Sequence, residues 1–157
     1  MTGKTLVAFA TKGGATEEAA LEIAEVLRKH KLEVDTVNLR KEKDTDISGY
    51  ENLVVGSGVR IGRIYNEYHK FLENDFGKKK LALFIVCGEA GDPKDHDKVL
   101  EKHMKTTLGN HAHLKPVEFE VFGGRMKVLW KVVSDGRDPA KVRAWADKVS
   151  KKFGSKK

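Results

Sequence analysis

Thr11-Lys12-Gly13-Gly14-Ala15-Thr16 sets two hydroxyls, a cation and a pair of glycines between an apolar run, Leu6-Val7-Ala8-Phe9-Ala10, and a helical pattern opening at Glu17. This is the chemistry of an anion cradle. Glycines let successive backbone N–H groups converge, a helix N-terminus adds partial positive charge, and Thr11, Thr16 and Lys12 add donors. A second glycine-rich stretch, Ser57-Gly58-Val59-Arg60-Ile61-Gly62, puts small residues beside apolar Val59 and Ile61. It suits a flat ring, with backbone groups turned to the ring's polar edge. A third, Cys87-Gly88-Glu89-Ala90-Gly91-Asp92, can do the same from the other side. A phosphate at one end and a ring between two loops describe a mononucleotide or FMN.

Several other chemistries are disfavoured. The first loop lacks the glycine-lysine-Ser/Thr ending of a P-loop, which argues against an ATPase or GTPase. It also lacks G-x-G-x-x-G, and no acidic residue closes the second strand as a dinucleotide ribose would want, because Asp35 lies inside that strand. A response-regulator-like module that binds no flavin would need an acidic cluster after the first strand and an aspartate ending the third. Ala10-Thr11-Lys12 and Gly56-Ser57 supply neither. His96, His103, His111 and His113 invite a metal, but His111-Ala112-His113 reads as a polar loop beside a helix end, and no metal site is expected. Cys87 reads as a small buried residue beside the ligand rather than a nucleophile, and no histidine and acid suggest a triad. No catalytic residue is assigned.

The elements that must position these loops alternate. Strands are expected over Lys4–Ala10, residues 32–39, residues 52–56, Lys80–Cys87 and residues 115–122. Helices are expected over 16–30, 64–76, 95–108 and 138–153. The first has Ala19, Ala20, Ile23, Ala24 and Leu27 on one stripe; the last has Val142, Trp145, Ala146 and Val149. Residues 41–50 are polar and hold only a short helix or turn. Residues 123–136, with Trp130, read equally as a helix or an extra strand pair. Strands alternating with helices predict an α/β domain with a parallel sheet covered on both faces. In such a sheet the strand C-termini share one edge, where ligands bind at the switch in strand order. No linker or repeat divides the 157 residues, so one domain over 1–157 is expected.

Hydrophobic residues at 39% are enough for a core, and charged residues at 34% suit a soluble chain. The longest apolar run, 81–87, is far too short to span a bilayer. No signal-peptide pattern opens the sequence, so a cytoplasmic location is expected. One cysteine excludes an internal disulfide and any multi-cysteine metal or iron–sulfur site. The net charge of +7 reads either as solvated lysine faces or as attraction to an acidic protein or an anionic membrane surface. No nucleic-acid motif is present, and nucleic acid is not expected as a partner.

Residues 7–16 and 53–62, followed by Tyr65 and the segment to Phe71-Leu72, resemble the flavodoxin family across nearly the whole chain. They are especially similar to the subgroup that includes menaquinone-dependent protoporphyrinogen oxidase. The resemblance implies a flavodoxin-like doubly wound five-stranded parallel sheet in the order 2-1-3-4-5, with FMN as cofactor. It also implies that Thr11, Lys12, Gly13, Gly14, Ala15 and Thr16 hold the phosphate. Ser57, Gly58, Val59, Arg60, Ile61 and Gly62 would line one side of the ring, and Cys87, Gly88, Glu89, Ala90, Gly91 and Asp92 the other. Gly58, Gly88 and Gly91 can turn a backbone carbonyl toward the ring. Arg60 reads either as positive charge near the ring or as a surface arginine.

Two functions follow from the resemblance. One is a low-potential electron carrier between redox proteins, with ferredoxin-like or other acidic partners. The other is an FMN-dependent oxidoreductase of the protoporphyrinogen oxidase type, with a quinone acceptor and peripheral contact with a membrane. Typical members are acidic and place aromatic residues against the flavin. Here the chain is basic, and neither ring loop holds Trp or Tyr; Tyr65 is the nearest aromatic.

Overall fold

A computed structural model of the chain describes residues 4–12, 14–42, 44–60, 62–128 and 131–154. Strands β1 (Lys4–Ala10), β2 (Glu33–Asn38), β3 (Asn52–Arg60), β5 (Lys80–Cys87) and β6 (Glu118–Gly123) form the main sheet. Their order is β2-β1-β3-β5-β6, and every neighbouring pair is parallel. This is the expected 2-1-3-4-5 order once the two-residue strand β4 (Arg63–Ile64) is set aside, which pairs antiparallel with the end of β3. Helices α1 (Gly14–Lys29) and α4 (Pro139–Gly154) share one core with one face of the sheet. Helices α2 (Asn66–Phe71) and α3 (His96–Asn110) contribute to the core on the other.

Alternation along the buried strands builds two cores. Val7, Phe9, Val54, Phe84 and Phe122 pack with Ile23 and Leu27 of α1 and with Trp145, Val149 and Phe153 of α4. Leu6, Ala8, Leu53, Val55, Leu83 and Ile85 point the other way, toward Tyr68, Phe71 and Val99. Each large apolar side chain removed from water stabilises the fold by about 1.5–3 kcal/mol. Phe84 closes its layer on Phe122 and Trp145, with ring centroids 6.2 and 6.1 Å away. Gly56, its neighbour across the strands, must lack a side chain: a Cβ there would lie 2.1 Å from Phe84 Cζ.

Two boundaries differ most from the sequence expectations, and one open segment is resolved. Residues 57–60, read as loop, continue β3. Ser57 still pairs with Ala10 and Gly58 with Val86, so sheet pairing holds them extended. The chain then reverses through Gly62, whose φ of +72° lies in the left-handed region, into β4. The helix expected over 64–76 shrinks to Asn66–Phe71, because Ile64 is taken by β4 and Asn74 Nδ2 donates to Phe71 O at 2.7 Å, capping the helix end. The segment left open after β6 is an antiparallel ribbon, β7 (Arg125–Val128) with β8 (Lys131–Asp135); Trp130 lies outside the described residues.

Candidate functional site

Parallel pairing brings the ends of β1, β3 and β5 to one edge, and all three glycine-rich stretches meet there. Thr11 follows β1, and Gly14, Ala15 and Thr16 form the first turn of α1. Both threonines are buried, at 7% and 3% exposure. A Cβ on Gly58 would lie 2.6 Å from Thr16 Oγ1 and 3.3 Å from Thr11 Oγ1. Two hydroxyls thus converge on a stretch of bare backbone at the N-terminus of a 16-residue helix. That arrangement suits a phosphate, and any side chain at residue 58 would fill it. The Lys12 side chain is exposed, and Gly13 and Ile61 lie outside the described residues.

Three further residues, left out of the sequence-based site, shape this end. Tyr65 Oη accepts the Lys12 N–H at 3.2 Å. Asn38, at the end of β2, donates from Nδ2 to Thr11 O at 3.4 Å. The Arg40 guanidinium covers the Tyr65 ring, 4.9 Å from its centroid, and lies 4.0 Å from Glu67. The available signal was position alone: in a parallel sheet, residues just after β2 share the edge of those after β1. Nothing in the local sequence says that Tyr65 crosses to the first loop.

The stretches expected to face a ring are arranged differently. Ser57 Oγ donates to Gly58 O at 2.8 Å and accepts the Tyr65 N–H at 3.3 Å. Its hydroxyl is fully buried and fixes the hairpin. Val59 is half-buried, while the backbone of Arg60 pairs with Arg63 before the exposed turn at Gly62. Cys87 ends β5, with Sγ 3.9 Å from His103 Nε2 of α3. Gly88–Gly91, which includes Glu89, forms one 3-10 turn with Ala90 buried, and Asp92 caps the next turn by accepting the Lys94 N–H at 3.1 Å. The Gly124 N–H donates to Cys87 O at 3.1 Å, and the Gly136 N–H to Gly124 O at 2.9 Å. The ribbon is therefore tied at its base beside the ring loop. A crevice of about 570 Å³ opens there, lined by Ala90, Pro93, His96, Gly123, Arg137 and Asp138. Within it His96 Nε2 pairs with Glu120 Oε1, and Arg137 bridges Glu18 and Asp135 at 2.8 and 2.6 Å.

A larger crevice of about 850 Å³ lies at the opposite edge, around Tyr50, Lys79 and Lys80. Its lysines serve the fold: Lys79 Nζ donates to Tyr50 O at 2.7 Å and Lys80 Nζ to Lys152 O at 3.0 Å. Among the described residues, no group of three or more His, Cys, Asp or Glu is placed to hold a metal, and no helix is long and apolar enough to cross a membrane.

The family model for the flavodoxin domain matches residues 6–129. The chain belongs to the flavodoxin domain family. Among curated proteins, protoporphyrinogen IX dehydrogenase (quinone) of Escherichia coli strain K12 is 27% identical over 127 residues, covering 79% of this chain and 70% of that protein. Among solved structures, oxidised flavodoxin 2 from Bacillus cereus superposes with a TM-score of 0.68 at 22% identity, over 96% of this chain and 99% of that one. A Fusobacterium nucleatum flavodoxin bound to flavin mononucleotide gives 0.59 at 15% identity, over 97% and 99%. The flavodoxin match spans all three loops of the edge, and the order of the five parallel strands is that of the flavodoxin sheet.

Proposed function

We propose that this flavodoxin carries FMN and acts as a low-potential electron carrier between redox proteins. The observation that carries the reading is the cradle at the phosphate end, where Thr11 and Thr16 face the backbone of Gly58 at the start of α1. FMN supplies the redox chemistry when bound; the protein sets its potential and presents its edge. In this reading Thr11, Thr16 and the first turn of α1 hold the phosphate, as do Lys12 and Gly13. The backbone of 57–62 and of 87–92 flanks the ring. Gly88 and Gly91 offer carbonyls that can turn toward it, whereas Gly58, also expected to do so, lies in β3 with its carbonyl accepting the Ser57 hydroxyl. No protein acid or base is needed for electron transfer alone. Acidic redox proteins, steered by the surplus of Lys and Arg, are the partners this reading favours, in the cytoplasm.

The second reading is an FMN-dependent oxidoreductase of the protoporphyrinogen oxidase type with a quinone acceptor. The likeness to the Escherichia coli dehydrogenase favours it, and so does the crevice beside the ring loop, where Glu120 orients His96. The absorption spectrum of the isolated protein tests both. A flavin spectrum, with FMN released on denaturation, is expected. Colourless protein that also fails to take up added FMN would reject both readings. Stopped-flow reduction by a low-potential ferredoxin, set against porphyrinogen oxidation with a quinone, separates carrier from enzyme.

A further inference from the structure

Tyr65 spans three parts of the cofactor edge. Its N–H bonds Ser57 Oγ, which fixes its backbone on the end of β3. It precedes α2 in an extended conformation, φ −63° and ψ 140°, without a side-chain cap on that helix. Its ring instead reaches back across Gly58, with Cε2 3.6 Å from where a Cβ would stand, and sets Oη 3.2 Å from Lys12 N. Arg40 over the ring face holds it there.

The Lys12 N–H has one hydrogen and lies immediately before the glycines of the phosphate turn. A phosphate oxygen entering beside Thr11 and Thr16 calls on the donor that the phenol already uses. We infer that Tyr65 determines specificity at this site: its hydroxyl competes with the ligand phosphate for the Lys12 N–H. This rests on the FMN reading given above. A phosphorylated flavin displaces the phenol from that donor, whereas an unphosphorylated flavin leaves it in place. A phosphate oxygen wins the exchange because a charged acceptor bonds an N–H more strongly than a neutral hydroxyl does. The phenol therefore sets how much affinity the phosphate adds.

Tyr65→Phe removes the competing oxygen and leaves the ring under Arg40. Dissociation constants for FMN and riboflavin, from quenching of flavin fluorescence, are compared in the two proteins. FMN is expected to bind about two- to tenfold more tightly to Tyr65→Phe, the span of one net hydrogen bond, with riboflavin unchanged. Without flavin, the Lys12 amide resonance should move in the variant, and inorganic phosphate should shift it further at lower concentration than in the parent. Unchanged FMN affinity overturns the inference. So does a loss confined to FMN, which would make Tyr65 Oη a phosphate ligand. Should neither protein take up flavin, the FMN reading fails, and the phosphate titration at Lys12 alone decides the competition; equal midpoints would reject it.

Discussion

At the end of the edge proposed to hold the phosphate, Thr11 and Thr16 of the first loop lie close to Gly58 of β3 and to Tyr65, with both threonines buried. At the ring end, Cys87 and Ala90 are buried in the core on the α3 side of the sheet, and a turn of four residues and the base of a ribbon form the rim. One end is packed so closely that a single methyl group is too much; the other is a seam between backbone segments. On the FMN reading proposed above, this contrast predicts that the phosphate supplies more of the cofactor affinity than the ring does.

The most severe way to break the comparison is to add a methyl group at each end. Gly58→Ala puts a Cβ 2.6 Å from Thr16 Oγ1, and FMN affinity should fall by about five- to 150-fold, the range of one to three kcal/mol for overpacking. Gly124→Ala at the ring end meets nothing nearer than Val86 Cγ1 at 3.4 Å, and FMN affinity should stay within about twofold. Equal losses by fluorescence titration would erase the difference between the ends. Thr16→Ala removes one hydroxyl without crowding. It should weaken FMN about tenfold and spare riboflavin, since a hydrogen bond to a charged group is at stake. An equal loss for both flavins would take Thr16 away from the phosphate.

A smaller effect belongs to neither end. His69 Nδ1 and His111 Nε2 lie 3.1 Å apart and tie α2 to the chain after α3. Burial lowers both imidazoles from the ordinary 6.5, His69 further through His111 and His111 further through His113, with Glu73 opposing. The folded protein therefore binds fewer protons than the unfolded chain just below that value. Stability should be full above pH 6.5 and decline as pH falls below it. Urea midpoints across pH 5 to 7 should show the decline, and His69→Gln should flatten it. A variant with the parent's slope would remove the pair from the account.

Much of the site was legible because its chemistry is local. Hydroxyls and glycines before an amphipathic helix say phosphate in any fold, and the apolar runs at 4–10 and 80–87 say central parallel strands. What failed to show were features set by pairing partners. Residues 57–60 look like a glycine loop, yet Ala10 and Val86 on either side keep Ser57 and Gly58 in the sheet. Ile64 fits a helix stripe, yet β3 claims it for a hairpin through Val59.

The alternation of the five main strands with four helices, the glycine stretches that follow β1 and β5, and the family were determined by the sequence itself, since periodicity and turn chemistry act over a few residues. Tertiary structure alone decided that Tyr65 reaches Lys12 across 53 positions, that Arg40 lies over its ring, and that Gly58 stands against two threonine hydroxyls. Those contacts depend on sheet register, which is fixed by the whole core at once and is written in no single stretch of chain.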